Sequence, residues 1–142
     1  MVNTTIAALG NTIAVSSGGE IRKVALGNGT LKAGNLCFID ASTSKVATTS
    51  TTAFEGIIEE KYDTAIDTAI ADGASLNVIV PESNHIYRVR MADAGAGKIV
   101  GTPLKMGDGI VACVALGETA DIIGYLERAI VDDDTVCYAR WA

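Results

Sequence analysis

Basic charge, histidine, proline and aromatic rings are all scarce in this chain. Eleven Lys and Arg face 17 Asp and Glu, a net charge of -6. Binding to a phosphate backbone needs clustered basic residues, so a nucleic-acid partner is not expected. One histidine in 142 residues excludes most His-based catalysis and most His-rich metal sites. No apolar run reaches the ~18 residues of a membrane-spanning helix, so no membrane partner is expected either. The three cysteines, Cys37, Cys113 and Cys137, match no zinc spacing and no CxxC pair. Each lies among apolar neighbours, as small buried hydrophobes do in a reducing place of synthesis. Aromatics are 5% of the chain while hydrophobic residues are 49%, so the core is built largely from Ala, Val and Ile. That apolar content suits one domain of ordinary size and argues against wholesale disorder.

Residues 1–19 carry no charged side chain and close on Ser16-Ser17-Gly18-Gly19. Met1 to Thr5 lacks the positive charge that precedes a secretory core. Ile13-Ala14-Val15 has strand propensity without a nearby partner. The segment reads as an extended, flexible arm: either a frayed terminus or a strand offered to another chain's sheet edge.

From Glu20 onward the pattern is that of strands. Period-two alternation predicts strands over Glu20–Leu26, Leu76–Val80 and His85–Met91. Short apolar runs predict others over Leu36–Asp40, Phe54–Glu60, Lys98–Val100 and Ile110–Ala115. Asp121–Val131 and Thr135–Trp141 flank Asp132-Asp133-Asp134 as a hairpin with an acidic loop. One helix is predicted over Asp63–Gly73, with apolar residues at 65, 66, 69 and 70, an Asp63 cap and a Gly73 stop.

The chain also resembles itself. Ala33-Gly34-Asn35-Leu36 leads past Val46-Ala47 to Phe54-Glu55-Gly56-Ile57-Ile58, and Val100-Gly101-Thr102-Pro103-Leu104 leads past Val111-Ala112 to Ile122-Ile123-Gly124-Tyr125-Leu126. The glycines stand 22 residues apart in the first copy and 23 in the second. A glycine inside a strand marks a bulge or a tight bend, so two such units can curl a sheet into a small barrel.

Motifs for chemistry are weak. Ala94-Gly95-Ala96-Gly97-Lys98 fails the phosphate-loop pattern at Ala92 and Ile99. Glu82, Ser83 and His85 sit too close together on an extended segment to converge as a catalytic triad. Asp132-Asp133-Asp134 lacks the glycine and distal glutamate of a calcium loop, and Asp63 and Asp67 read as a solvated face. Arg88 and Arg90 share a strand face and read as surface charge or as docking points for an acidic or carbonyl-rich surface. Arg128 and Arg140 sit on the last hairpin. Trp141 must either pack on its own domain or anchor a neighbour.

The order of a charge-free arm, Gly34-Asn35-Leu36-Cys37-Phe38-Ile39-Asp40, a Ser/Thr-rich hairpin with Lys45-Val46-Ala47, and Phe54-Glu55-Gly56-Ile57-Ile58 resembles the small head decoration, or cement, proteins of tailed phages and related viruses. The resemblance covers roughly residues 20–130 and is carried by short motifs. The second Gly-x-x-Leu unit and Trp141 stand outside it. It implies a small β-barrel or tulip-like domain. Together with the residue patterns above, the expected fold is mainly β: such a domain over 20–142, with one short helix and an internal pseudo-repeat, preceded by the arm over 1–19. The resemblance also implies a non-enzymatic structural subunit, without cofactor or metal. Made in the host cytoplasm, this subunit would form a homotrimer and bind the major capsid protein on the outer surface of the virion. Its arm, here Thr4, Thr5, Ile6, Leu9, Ile13 and Val15, would add a strand to the shell protein. The alternatives are a surface- or carbohydrate-binding β module, for which Tyr62, Tyr87, Tyr125, Tyr138 and Trp141 are the available rings, and another tail, baseplate or shell component.

Overall fold

The computed structural model describes residues 20–50, 53–59, 67–92, 98–130 and 135–142. The protein is mainly β, with ten strands among the described residues: β1 (Ile21–Leu26), β2 (Leu36–Ile39), β3 (Val46–Ala47), β4 (Phe54–Ile58), β5 (Ser75–Val80), β6 (Ile86–Arg90), β7 (Pro103–Met106), β8 (Val111–Cys113), β9 (Gly124–Leu126) and β10 (Val136–Trp141). They form two antiparallel five-stranded sheets, β1-β5-β4-β2-β3 and β6-β10-β9-β7-β8. Replacing each strand of the first sheet by the one five places later gives the second. The chain therefore folds as two copies of one unit.

The correspondence extends to single bonds. Gly27 N–H donates to Ala74 at 3.0 Å, and Met91 N–H donates to Thr135 at 3.0 Å. Gly34 N–H donates to Ile58 and Gly101 N–H to Leu126, both at 2.8 Å, with the two glycines at φ 84° and 88°. Val46 and Val111 receive the same parallel bridge, from Gly27 and Met91. Gly34 and Gly101, Val46 and Val111, and Gly56 and Gly124 thus occupy matching places. The duplication also takes in β1, β5, β6 and β10, which the sequence comparison did not reach because their side chains diverge.

Neither sheet is a continuous closed cylinder. Among the described residues, only that single bridge links the edge strands of each sheet. The two sheets pack on one another instead. Leu36, Phe38, Ile57 and Ile79 of the first face Tyr87, Val89, Leu104, Leu126 and Ala139 of the second in one core. Alternation along the same strands turns Cys37, Ile58, Leu76 and Val78 to the other face, where Leu31 and Ile70 cover them. Each fully buried aliphatic contributes ~1.5–3 kcal/mol.

Two glycines make these units possible. A Cβ on Gly56 would lie 2.3 Å from the Ile79 carbonyl oxygen, and one on Gly124 would lie 2.5 Å from that of Arg140. The register opposite Gly56 shifts between Cys37 and Phe38, the bulge that an in-strand glycine foretells.

Several local expectations are corrected. No helix forms over the described part of Asp63–Gly73, residues 67–73. Ile70 donates its N–H to Leu31 at 2.7 Å and buries its side chain, while Asp72 accepts Gly29 N–H at 2.8 Å. Tertiary partners override a marginal helix period. Residues 63–66, the Ala94–Gly97 run and Asp132–Asp134 lie outside the described residues. Lys98–Val100 forms no strand; the stretch leads into a turn closed by Thr102 N–H to Ile99. The strand expected over Asp121–Val131 shortens to Gly124–Leu126. β1 forms as expected, but its burial does not alternate: the apolar members Val24 and Leu26 are exposed, at 72% and 48%.

The cysteines differ sharply in environment. Cys37 is buried and its thiol is pushed up to about 12, first by desolvation and then by the Glu55 charge. Cys113 is half-buried and raised by desolvation. The thiolate is the reactive species. In the native protein at pH 8, a thiol reagent should modify Cys113 at least tenfold faster than Cys37, read by peptide mass spectrometry.

Candidate functional site

The segment 1–19 joins the described protein at Glu20, and that junction is tightly held. The Glu20 side chain is 1% exposed. Tyr87 donates its hydroxyl hydrogen to Glu20 Oε2 at 3.0 Å, and His85 Nδ1 lies 3.2 Å from Oε1. The Tyr87 oxygen accepts the Glu82 N–H at 2.8 Å. His85 Nε2 lies 3.5 Å from Glu82 Oε2, so both imidazole nitrogens meet carboxylates. Burial, the largest influence, pushes the Tyr87 phenol upward and keeps it a donor. Among the described residues no hydroxyl meets the second imidazole nitrogen, and Ser83 makes no hydrogen bond to it. The geometry suits holding: a carboxylate at the start of β1 is tied to β6, across the two units.

Trp141 completes this junction from β10. Its ring stacks on Phe54 at 6.0 Å and meets Tyr87 edge-on at 6.1 Å, while Phe38 tilts against Phe54 at 5.6 Å. The Trp141 backbone N–H donates to the His85 carbonyl at 2.9 Å. Trp141 therefore packs on its own chain, its ring partly buried against the inter-sheet core. Arg140 forks onto Glu127 at 2.9 and 2.7 Å and donates to Asn84 at 3.1 Å. Substituting Trp141 by Ala should lower stability by ~2–3 kcal/mol, below the full cost of a wholly buried ring, checked by urea unfolding.

Arg88 and Arg90 part company. Arg90 is 7% exposed. Its N–H donates to Gly34 at 2.9 Å, its Nε–H to Ala33 at 2.9 Å, and its Nη1 lies 2.9 Å from Asp67. Arg90, expected as a possible docking point, is thus buried and engages the 33–34 turn of its own chain. Arg88 stays half-buried beside a cleft of about 210 Å³, shared with Arg128 and Tyr138. Arg128 lies over the Tyr138 ring at 4.0 Å, which fixes the guanidinium by cation–π attraction. The arm residues Thr4, Thr5, Ile6, Leu9, Ile13 and Val15 lie outside the described residues.

A second cavity, of about 400 Å³, is lined by Asn28, Thr30, Asp40, Thr48 and Thr49. Ser42 donates to Asp40 through its hydroxyl at 2.7 Å and its N–H at 2.9 Å, and Asn28 donates at 2.8 Å. Those bonds, the Ser42 hydroxyl first, hold the Asp40 carboxyl below its usual range. Ser50 does the same for Asp108, across the two units. Hydrogen bonds from Lys105 and Arg140 lower Glu118 and Glu127. A depressed folded pKa adds stability above the unfolded pKa and loses it as pH falls through the folded value. Thermal stability should therefore hold from pH 7 to about 5 and decline below about 4, measured by calorimetry across that range.

The sequence pointed to Trp141 and to the start of β6. It missed Glu20 as a fastening, although Glu20 is the first charged residue after nineteen uncharged ones. Its partners lie 65 and 67 residues away, beyond any local pattern. Among the described residues no three His, Cys, Asp or Glu side chains group to hold a metal ion, and no helix is long and apolar enough to cross a membrane. No protein-family model matches the chain, and no curated protein matches it.

Proposed function

We propose that the chain is a non-enzymatic structural subunit that decorates the outer surface of a viral head and stabilises the shell. The observation that carries this reading is the fastening at Glu20. A segment with no charge and with strand-forming Ile13 and Val15 leaves a rigid, two-unit β scaffold from a root tied by His85 and Tyr87. Such a root transmits tension between a bound arm and the body. The tulip-like barrel of the resemblance requires each five-stranded unit to curl toward its far edge, and the bridges from Gly27 to Val46 and from Met91 to Val111 support that reading.

Energetics favour many weak contacts. Ordering the arm opposes binding. Backbone pairing with the major capsid protein and burial of Ile6, Leu9, Ile13 and Val15 against it favour binding, and copy number within a homotrimer strengthens attachment. The experiment is co-sedimentation of the intact chain with expanded empty heads of its virus. Saturable binding with a fixed stoichiometry supports the reading, and a chain that stays in the supernatant removes it.

A second reading, a carbohydrate-binding module, is favoured by the 400 Å³ cavity and its side-chain hydroxyls, amide and carboxylate. It lacks an open ring for stacking, since Phe38 at the cavity floor is 2% exposed. Monosaccharide titration followed by amide shifts at Asp40 and Thr48 separates the two.

A further inference from the structure

The duplication exposes the two halves of a contact that the chain makes only once within itself. In the second unit, the outer edge of β6 is covered. Arg90 N–H and Nε–H reach the Gly34 and Ala33 carbonyls of the first unit's turn. The matching edge in the first unit is β1, with Leu26 in the place of Arg90. That position follows from the registers Leu26 with Ser75 and Arg90 with Val136, one step from the paired Gly27 and Met91 bonds. The outer edge of β1 pairs with no strand among the described residues. Gly27 N–H points to β5, so period-two alternation turns the Leu26 N–H outward.

The turn that would cover it exists, on the other unit. Lys32–Asn35 and Ile99–Thr102 are the same turn, closed by Asn35 N–H to Lys32 at 3.1 Å and Thr102 N–H to Ile99 at 3.2 Å. Ala33 is buried at 4%, whereas its counterpart Val100 is 59% exposed and Ile99 is 68% exposed. The sheet faces follow the same logic. Leu36, Ile57 and Ile79 are fully covered by the second unit, and the register places Pro103, Tyr125 and Arg140 at the matching positions. Tyr125 there is 43% exposed. Among the described residues, six of the eight exposed large hydrophobics lie at two places, the β1 edge with Ile21, Val24 and Leu26, and the Ile99–Val100 turn with the Tyr125 face; Leu116 and Ile122 are the other two.

Charge does not oppose the pairing. Arg22 and Lys23 on β1 are matched within the chain by Glu59 and Glu55. Arg140 is matched by Glu127. The contact is more polar than its internal counterpart, because Lys23 stands where Tyr87 stands in the second unit. A polar rim of this kind suits subunits that must also be soluble alone.

We infer that copies of this chain associate head to tail, the Ile99–Gly101 turn and Tyr125 face of one copy seating on the β1 edge of the next. The contact repeats between molecules the junction already built within one. Heterologous contacts of this type close into rings when the rotation allows. The inference deepens the self-association proposed above by assigning its surface.

The test is directed cross-linking in the full chain carrying Cys113→Ser, with Leu26→Cys and Val100→Cys made separately. Both positions are exposed, so folding is preserved. Diamide oxidation of the mixed single variants should give at least ten times more disulfide dimer than either variant alone. Val100→Asp should weaken association at least tenfold in sedimentation. An oligomer by native mass spectrometry without the 26–100 cross-link, or with Leu26→Cys linking to itself, overturns this contact and leaves self-association standing. A monomer overturns both.

Discussion

Gly56→Ala should lower the unfolding free energy by about 3–4 kcal/mol, a large share of the ~5–15 kcal/mol typical of a folded protein. The added Cβ meets the Ile79 carbonyl oxygen at 2.3 Å and Val78 Cγ1 at 2.6 Å. Carbonyl oxygen in the middle of a sheet cannot swing aside as a flexible side chain can. Overpacking of this kind costs ~1–3 kcal/mol. The backbone adds a similar amount, since φ at Gly56 is 151°, a region that side chains disfavour. Gly117→Ala is the matched control, with φ 83° but no atom within 4 Å of the new methyl. It should cost only ~1–2 kcal/mol. Urea unfolding of the three proteins at pH 7 reads both values, and the melting temperature of Gly56→Ala should fall by roughly 10 °C.

Arg90→Ala should cost about 2–4 kcal/mol, because it strips a buried carbonyl of its donor and opens a gap between the units. The guanidinium is the piece that matters. Nε–H on Ala33 and Nη1 beside Asp67 use two edges of one planar group, which lysine cannot reproduce. Asp67→Asn should cost less than ~1 kcal/mol, since that carboxylate is 73% exposed and well screened by solvent. A double-mutant cycle between the two positions should return a small coupling energy. That result would place most of the Arg90 effect on the 33–34 turn.

Arg90 also shows what sequence pattern conveys and what it withholds. Alternation over His85–Met91 correctly set Tyr87, Val89 and Met91 on the inter-sheet face and the arginines on the other. It could not tell that the opposite face at Arg90 would be roofed by a turn 57 residues earlier, because period reports direction and not cover. The same limit explains β1. Val24 and Leu26 repeat at strand spacing, yet that side of the edge is bare.

The glycines were legible for a physical reason. Close backbone approach at Gly56 and Gly124 tolerates no Cβ, so the demand is visible in a single residue type. The helix reading over Asp63–Gly73 failed where local and distant partners competed. Ile70 at helical spacing is equally an apolar residue for the core, and Leu31 offers its N–H a strand-like partner. Glu20, His85 and Tyr87 were legible one by one, as a boundary acid, a strand start and an inward ring, but not as a cluster. Bringing them together takes both units and the sheet packing between them.

Electron cryomicroscopy of expanded heads mixed with the chain tests the structural-subunit account most directly, comparing the natural sequence with the intact chain carrying Ile13→Asp and Val15→Asp. The account predicts ordered density for the natural chain at regular sites on the outer surface, with occupancy reduced at least tenfold in the charged-arm variant. Bare shells in both samples, or equal occupancy in both, would contradict it.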